Sequence, residues 1–336
     1  MTATTLPIID IGPYLDPAAS AEQRQAVSRA LDKACREHGF FYLVNHGVPQ
    51  DLCDRVRAQG HQFFQLPEEE KRKHKVAGNF RGYKHFKDII IRGRASLNEA
   101  IAFYPPVNCY SDGIAQGVDP TSPSATLPTM PDALGSQNSW PSDEFRAATE
   151  EYRDLVLKLG DRVLSAIAAG LGIGDSFRDW LLDPTWSIRF NGYPSLTGTD
   201  TEKAGDVSLG AHVDYACITI LNQDPESASL QVMSKSGEWH KVQPLPGAFV
   251  VNTGKMLSLW TCNQYPARLH RVVHRDEKPR VSVATFIDPR FNAVIGPLPE
   301  LAVPGEEPIK YTPKTFGSHL VDQLRIYSAM QQKQVS

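Results

Sequence analysis

The stretch AHVDYACITI, residues 211–220, combines two residue types that do not belong together in an apolar strand. Successive side chains of an extended chain point to opposite faces, so His212 and Asp214 share a face within a segment that is otherwise almost entirely apolar. A buried imidazole and carboxylate need partners. They can satisfy one another as a structural ion pair, or they can face a metal ion. A single His-x-Asp is a weak motif, and its surroundings decide between these readings.

The surroundings are rich in β-strand signals. Between Trp186 and Pro289 short runs follow one another closely, SIRFNGY, HVDYACITIL, LQVM, EWHKV, AFVVNT, LHRVVH and RVSVATFI, with Gly, Pro and Asn turns between them. That rhythm predicts an antiparallel sandwich or barrel. Helices precede it. Ser20 and Gln23 form a capping box ahead of Val27, Ala30, Leu31 and Ala34, and this helix is expected to stop near Gly39. FFYLVNHG (40–47) reads as a strand, and a second helix carries Leu52, Val56, Phe63 and Phe64. Residues 105–142 hold seven prolines and little periodicity, the mark of a long loop. From Phe145 a long helix presents Tyr152, Leu155, Leu159, Val163 and Ile167 as one apolar stripe. Thr312 as cap and Pro313 at the first helical position open a terminal helix bearing Phe316, Leu320 and Leu324. The expected picture is one compact unit (1–336), helices packed outside a β core.

Bulk properties narrow the function. With 336 residues, 41% apolar and 22% charged, the chain is an ordinary globular protein able to bury a large core. A formal net charge of −3 gives no reason to expect nucleic acid or an anionic membrane as partner. No run of 18 apolar residues and no leader-like N-terminus are seen, so a cytoplasmic protein without a membrane span is expected. The five cysteines, Cys35, Cys53, Cys109, Cys217 and Cys262, are scattered and never in a CxxC pair, which argues against a disulfide framework or a thiolate zinc site.

Downstream, ARLHRVVH (267–274) places His270 on a second apolar β-like run. In PRVSVATF (279–286), Arg280, Ser282 and Phe286 share one face and Val281, Val283 and Thr285 the other. A guanidinium aimed into a sheet's interior is costly unless an anion meets it, and its planar fork beside a hydroxyl suits a carboxylate. Two imidazoles and one carboxylate leave metal positions open, which suits Fe(II) and also catalytic zinc. The nearby anion clamp favours iron with a chelating keto acid.

At these residues the chain resembles the isopenicillin N synthase-like family of Fe(II)/2-oxoglutarate-dependent dioxygenases. LPIIDI (6–11), EHGFFYLVNHGV (37–48) and FFQLPEEEK (63–71) are similar to that family's N-terminal region, and HVD, LHRV and RVS occur in its order and spacing. The resemblance implies an α+β fold with a double-stranded β-helix (jelly-roll) core at 180–292. It also implies flanking helices, including a long one packed against the barrel, an N-terminal helical and strand region at 5–125, and a C-terminal helix at 310–332. It implies that His212, Asp214 and His270 hold Fe(II). Arg280 and Ser282, with Tyr193, would take the distal carboxylate of the cosubstrate 2-oxoglutarate, and Asn191 would stand near its metal-bound end. Phe286 would line the substrate pocket, joined by Tyr215, Leu221, Tyr83, Phe103 and Tyr104. His274 needs no metal role and reads as structural, and the basic run FRGYKHFKDIIIRGR (80–94) reads as a solvated surface.

Three departures from the family pattern stand out: Val213 between the first His and Asp, Ala216 after Asp-Tyr, and Asn252-Thr253-Gly254-Lys255 in a turn that commonly ends in an acid. None removes a ligand. The expected function is hydroxylation of a small organic molecule with dioxygen, or its desaturation, cyclisation or rearrangement, in specialised metabolism, releasing succinate and CO2. The alternatives are a 2-oxoglutarate-independent non-haem iron oxidase of the same family, or a non-catalytic metal or 2-oxoglutarate-binding module.

Overall fold

The computed structural model describes residues 6–76, 80–91, 93–105, 137–174, 184–195, 207–305, 307–320 and 322–323. Of the Pro-rich loop expected at 105–142, residues 106–136 lie outside the described residues. The chain opens with β1 (Ile8–Asp10), α1 (Gly12–Leu15), α2 (Ala21–Glu37), β2 (Phe40–Val44), α3 (Gln50–Gln65) and α4 (Glu68–Arg72). Ser20 caps α2 by the expected reciprocal box with Gln23, and Gly39 leaves the helix at φ +67°. Then come β3 (Gly82–Lys84), β4 (Ile90–Ile91), β5 (Arg94–Ala95), β6 (Glu99–Phe103) and the long α5 (Asp143–Leu171).

The β core follows with β7 (Thr185–Tyr193), β8 (Leu209–His212), β9 (Ile218–Gln223), β10 (Leu230–Met233), β11 (Trp239–Lys241) and β12 (Phe249–Thr253). A short α6 (Lys255–Trp260) leads to β13 (His270–Val272), β14 (Arg280–Asp288), β15 (Val294–Ile295) and β16 (Lys314–Thr315). The terminal helix starts later than Thr312: residues 316–320 are helical, and Thr315 Oγ1 accepts the Ser318 N–H at 3.1 Å. The rest of that expected helix is outside the described residues apart from 322–323. Among the described residues no helix is long and apolar enough to cross a membrane.

Two sheets make the core. The larger runs β1-β2-β12-β9-β14-β7-β6-β3 and the smaller β11-β10-β13-β8, with every pairing antiparallel except β1 with β2. This is the double-stranded β-helix expected from the resemblance. One expectation needs correction. HVDYACITIL is not a single strand: β8 belongs to the smaller sheet and β9 to the larger, so residues 213–217 form the corner between them. The start of α6 holds that corner. The N–H groups of Gly254, Lys255 and Met256 donate to the carbonyls of Cys217 (2.9 Å), Asp214 (2.8 Å) and Tyr215 (3.1 Å), using donors that a helix start leaves without intrahelical partners.

Strand alternation sorts the larger sheet into two faces. Ile101, Phe103, Phe190, Val283, Ile220, Val251 and Leu43 join Val156, Leu159 and Val163 of α5 in the main apolar core. Burial of such side chains stabilises by about 1.5–3 kcal/mol each. The helix lies hard against the sheet at Gly160, where a Cβ would come within 2.1 Å of Ile287 Cδ1.

The opposite face looks into the barrel, and strand register orders it in rows. Phe40, Asn252, Thr219, Phe286 and Ser187 form one row. Tyr42, Val250, Leu221, Ala284, Arg189, Ala102 and Gly82 form the next, followed by Gln223, Ser282, Asn191, Ala100 and Lys84, and then by Arg280 opposite Tyr193. Towards β1 and β2 the interior is filled by Phe40, Tyr42, Val250, Leu230, Val232 and Val242. Leu221, Phe286 and Arg189 retain partial exposure although their strands lie within the sheet, which marks the open part of the interior.

Candidate metal centre

His212 ends β8 and His270 begins β13, and the two residues are direct cross-strand partners. Asp214 comes from the corner after β8. Its Oδ1 lies 3.7 Å from His212 Nε2 and 3.5 Å from His270 Nε2, and one ligand atom from each of the three falls within 4.8 Å of the others. Among the described residues no other trio of His, Cys, Asp or Glu side chains converges in this way.

The histidines are oriented by backbone. His212 Nδ1–H donates to the Gly210 carbonyl at 2.8 Å and His270 Nδ1–H to the Arg268 carbonyl at 3.2 Å. In a neutral ring this leaves the Nε2 lone pair to a metal, the arrangement that outer hydrogen bonds impose on ligating histidines. Asp214 is oriented by two side chains that motif reading did not single out. Thr219 Oγ1–H and Asn252 Nδ2–H both donate to Oδ2, at 2.6 and 2.8 Å, leaving Oδ1 towards the histidines. Thr219 and Asn252 are cross-strand partners on β9 and β12, a relation that spacing along the chain does not reveal.

Electrostatics follow from this packing. Burial pushes His212 down to about 4, helped by His270 close by and opposed by Asp214. Burial alone would raise the Asp214 carboxyl, but His270 first, then His212 and Thr219, hold it well below the usual carboxylate range. Burial works against protonation of His270 as well, yet the Asp214 charge outweighs it and raises that imidazole. The donor set of two imidazoles and one carboxylate fits Fe(II).

Further along the interior stands Arg280, 1% exposed. Its Nη2 donates to Gln223 Oε1 at 2.8 Å, and its Cζ lies 4.9 Å from the Tyr193 ring centre. Its Nε and Nη1 are buried with no hydrogen-bond partner. Orphaned guanidinium donors in a dry site fit an anionic carboxylate that accepts charge-assisted hydrogen bonds from them. Ser282, Asn191 and Tyr193 lie beside it and are buried, and burial pushes the Tyr193 phenol up against the opposing pull of Arg280 and Arg189.

The residues expected at the substrate end divide. Phe286 and Leu221 line the open interior, and Tyr215 stands 54% exposed at the corner with Lys255 Nζ 4.8 Å from its ring centre. Tyr83 and Phe103 do not reach the interior. Alternation turns them to the helix-packed face, where Tyr83 donates to Glu99 at 2.6 Å and Phe103 stacks on Trp140 at 4.0 Å. Tyr104 sits at the end of β6 under the Arg81 guanidinium, 5.4 Å from its ring centre. His274 is structural: its Nδ1 meets Ser229 Oγ at 3.0 Å and its Nε2 donates to the Lys278 carbonyl at 2.9 Å. The hairpin of β4 and β5, within the basic run, lies over β8, since a Cβ on Gly210 would come 3.0 Å from Ile91.

Comparison with known proteins agrees with this geometry. A family described as the N-terminal region of the non-haem dioxygenase in morphine synthesis matches residues 6–142, and the 2OG-Fe(II) oxygenase superfamily matches residues 186–289. A homoarginine-6-hydroxylase of Oryza sativa subsp. japonica is 36% identical over 330 residues, covering 95% of this chain and 96% of that one. The 2-oxoglutarate-Fe(II) type oxidoreductase hxnY of Emericella nidulans is 33% identical, covering 94% and 88%. Among solved structures, a full-length Neurospora crassa protein crystallised in complex with alpha-KG has a TM-score of 0.77 at 26% identity, covering 95% and 96%. The chain belongs to the isopenicillin N synthase-like branch of the 2-oxoglutarate- and iron(II)-dependent oxygenases. It is a non-haem Fe(II) dioxygenase that uses 2-oxoglutarate as cosubstrate.

Proposed function

We propose that His212, Asp214 and His270 hold the ferrous ion, that Arg280, Ser282 and Tyr193 bind the distal carboxylate of 2-oxoglutarate, and that Asn191 flanks its metal-bound end. The observation that carries this reading is the pairing of a preoriented His-Asp-His trio with an arginine whose Nε and Nη1 are buried and unpartnered in the same interior. Bound there, the iron and 2-oxoglutarate would supply the oxidising power that converts a substrate C–H to an alcohol with dioxygen, releasing succinate and CO2. The chain's own residues do the rest. Gly210 and Arg268 carbonyls keep the imidazole Nε2 atoms turned to the metal, Thr219 and Asn252 keep one carboxylate oxygen directed at it, and Phe286 and Leu221 exclude water beside it.

The substrate is a small organic molecule, with Phe286, Leu221 and Tyr215 as its neighbours, and the enzyme works in the cytoplasm. Support for the compartment comes from the four described cysteines, all free thiols. Relatives named as homoarginine-6-hydroxylases make L-homoarginine the first compound to try. The test is anaerobic titration of the Fe(II) protein with 2-oxoglutarate, followed by succinate assay over a panel of amino acids, small acids, polyketides and terpenoids. A weak visible charge-transfer band and substrate-stimulated succinate are expected. A His270→Ala protein that keeps both iron affinity and turnover would overturn the ligand assignment.

A further inference from the structure

Arg189 is a second cation in the barrel interior that the iron and 2-oxoglutarate leave unused. It alternates with Asn191 and Tyr193 along β7 and so looks inward with them. Its cross-strand partners are Ala284 on one side and Ala102 on the other, with Ala100 in the next row. Small side chains on three sides leave room in front of a long guanidinium. Its Nε is buried with no hydrogen-bond partner, and among the described residues no carboxylate pairs with it. Leaving that buried donor unmet is costly, so a ligand that meets it gains what the protein gave up.

Position separates this arginine from Arg280. Arg189 lies opposite Ala284, four residues from Arg280 on β14, and its row adjoins the one whose Thr219 and Asn252 hold Asp214. Adjacent rows are about 6.6 Å apart along a strand. An anion held by Arg189 therefore keeps the carbon framework attached to it beside the metal trio, in the space bounded by Leu221 and Phe286. Lys84 adds a second positive charge to this part of the interior, from β3 across Ala100 and Asn191.

We propose that Arg189 docks a carboxylate of the substrate, so that this enzyme oxidises small organic acids, amino acids included. The inference rests on the assignment of iron and 2-oxoglutarate made above and extends it to substrate class. Its test uses benzoate and its neutral isostere benzamide as probes. Calorimetric titration of each into the anaerobic Fe(II) and 2-oxoglutarate complex is expected to give benzoate an affinity about tenfold to a hundredfold higher, the range for a charge-assisted pair. Arg189→Met brings benzoate down to the level of benzamide while the 2-oxoglutarate charge-transfer band still forms, and Arg189→Lys restores part of the preference.

Equal binding of the two probes, or no binding of either, overturns the inference. So does an Arg189→Met or Arg189→Lys protein whose loss is in 2-oxoglutarate affinity, which would assign the arginine to the cosubstrate. The failures are distinguishable. A wild-type protein without the band refutes the iron and cosubstrate assignment and this inference with it, whereas a normal band without a preference for benzoate refutes this inference alone.

Discussion

Asn252 Nδ2 donates to Asp214 Oδ2 at 2.8 Å across two different strands of the core, and the other carboxylate oxygen is thereby left to the two histidines. Removing that donor frees the carboxylate to rotate. Asn252→Ala is expected to weaken Fe(II) binding by about 10–100-fold, the usual effect of losing an outer-shell partner. Anaerobic iron titration checks it. Thr219→Val acts on the same oxygen, and the double variant should fall short of additivity because the two donors share one acceptor.

Arg280 invites a stability experiment rather than an activity one. Its Nε and Nη1 are buried and unpartnered, so the Gln223 bond and the Tyr193 ring offset only part of the cost of its burial in the ligand-free protein. Arg280→Met is expected to leave the melting midpoint of the ligand-free protein unchanged or higher by a few degrees. The stabilisation by 2-oxoglutarate, about 2.7 kcal/mol at a hundredfold excess over Kd, should vanish. A variant still stabilised by 2-oxoglutarate as strongly as the wild type would contradict the role given to Arg280.

The His270 and Asp214 pair makes opposite pH predictions for the metal-free and iron-loaded protein. His270 is raised above its ordinary 6.5 because the Asp214 charge outweighs the effect of burial. Its contribution to folding is therefore full below about 6.5 and is lost as pH rises through the raised value. Asp214 is held low, so its own contribution is present above the ordinary 3.8 and is lost only in strong acid. The metal-free melting midpoint should fall as pH rises from about 6.5 through the raised His270 value, relative to a His270→Gln control. Iron must displace the His270 proton, so its apparent affinity should rise over the same interval.

Gly254 couples the corner to the metal trio. A Cβ there would lie 2.0 Å from the Ala216 carbonyl oxygen, which is backbone and cannot step aside cheaply. Gly254→Ala is expected to destabilise the fold by about 2 kcal/mol or more and to weaken iron binding with it, because the same turn holds Asp214 in place. Parallel thermal melts and iron titrations measure both effects.

Local chemistry was readable in the chain. The capping box at Ser20, the amphipathic stripe of α5, the β rhythm from Trp186 onward and the inward row of Arg280, Ser282 and Phe286 all depend on neighbours a few residues apart, and period 2 or 3.6 makes them legible. Period 2 also predicts that Arg189 shares a face with Asn191 and Tyr193, a signal present in RFNGYP. Tyr83 and Phe103 show the opposite case. Each lies on a strand as a pocket residue would, but one residue of register turns a side chain to the other face, and only strand pairing decides which face is the interior.

The sequence by itself determined the candidate ligand types, their order and the β-rich segments in which they fall. What only tertiary structure decided was the break of HVDYACITIL into two strands on different sheets, and the convergence of Thr219, Asn252 and the start of α6 on the corner that holds Asp214. The reason is physical. A strand's own pattern specifies which side chains share a face, whereas the partners of a buried carboxylate are supplied by other segments whose hydrogen bonds close only once both sheets are paired.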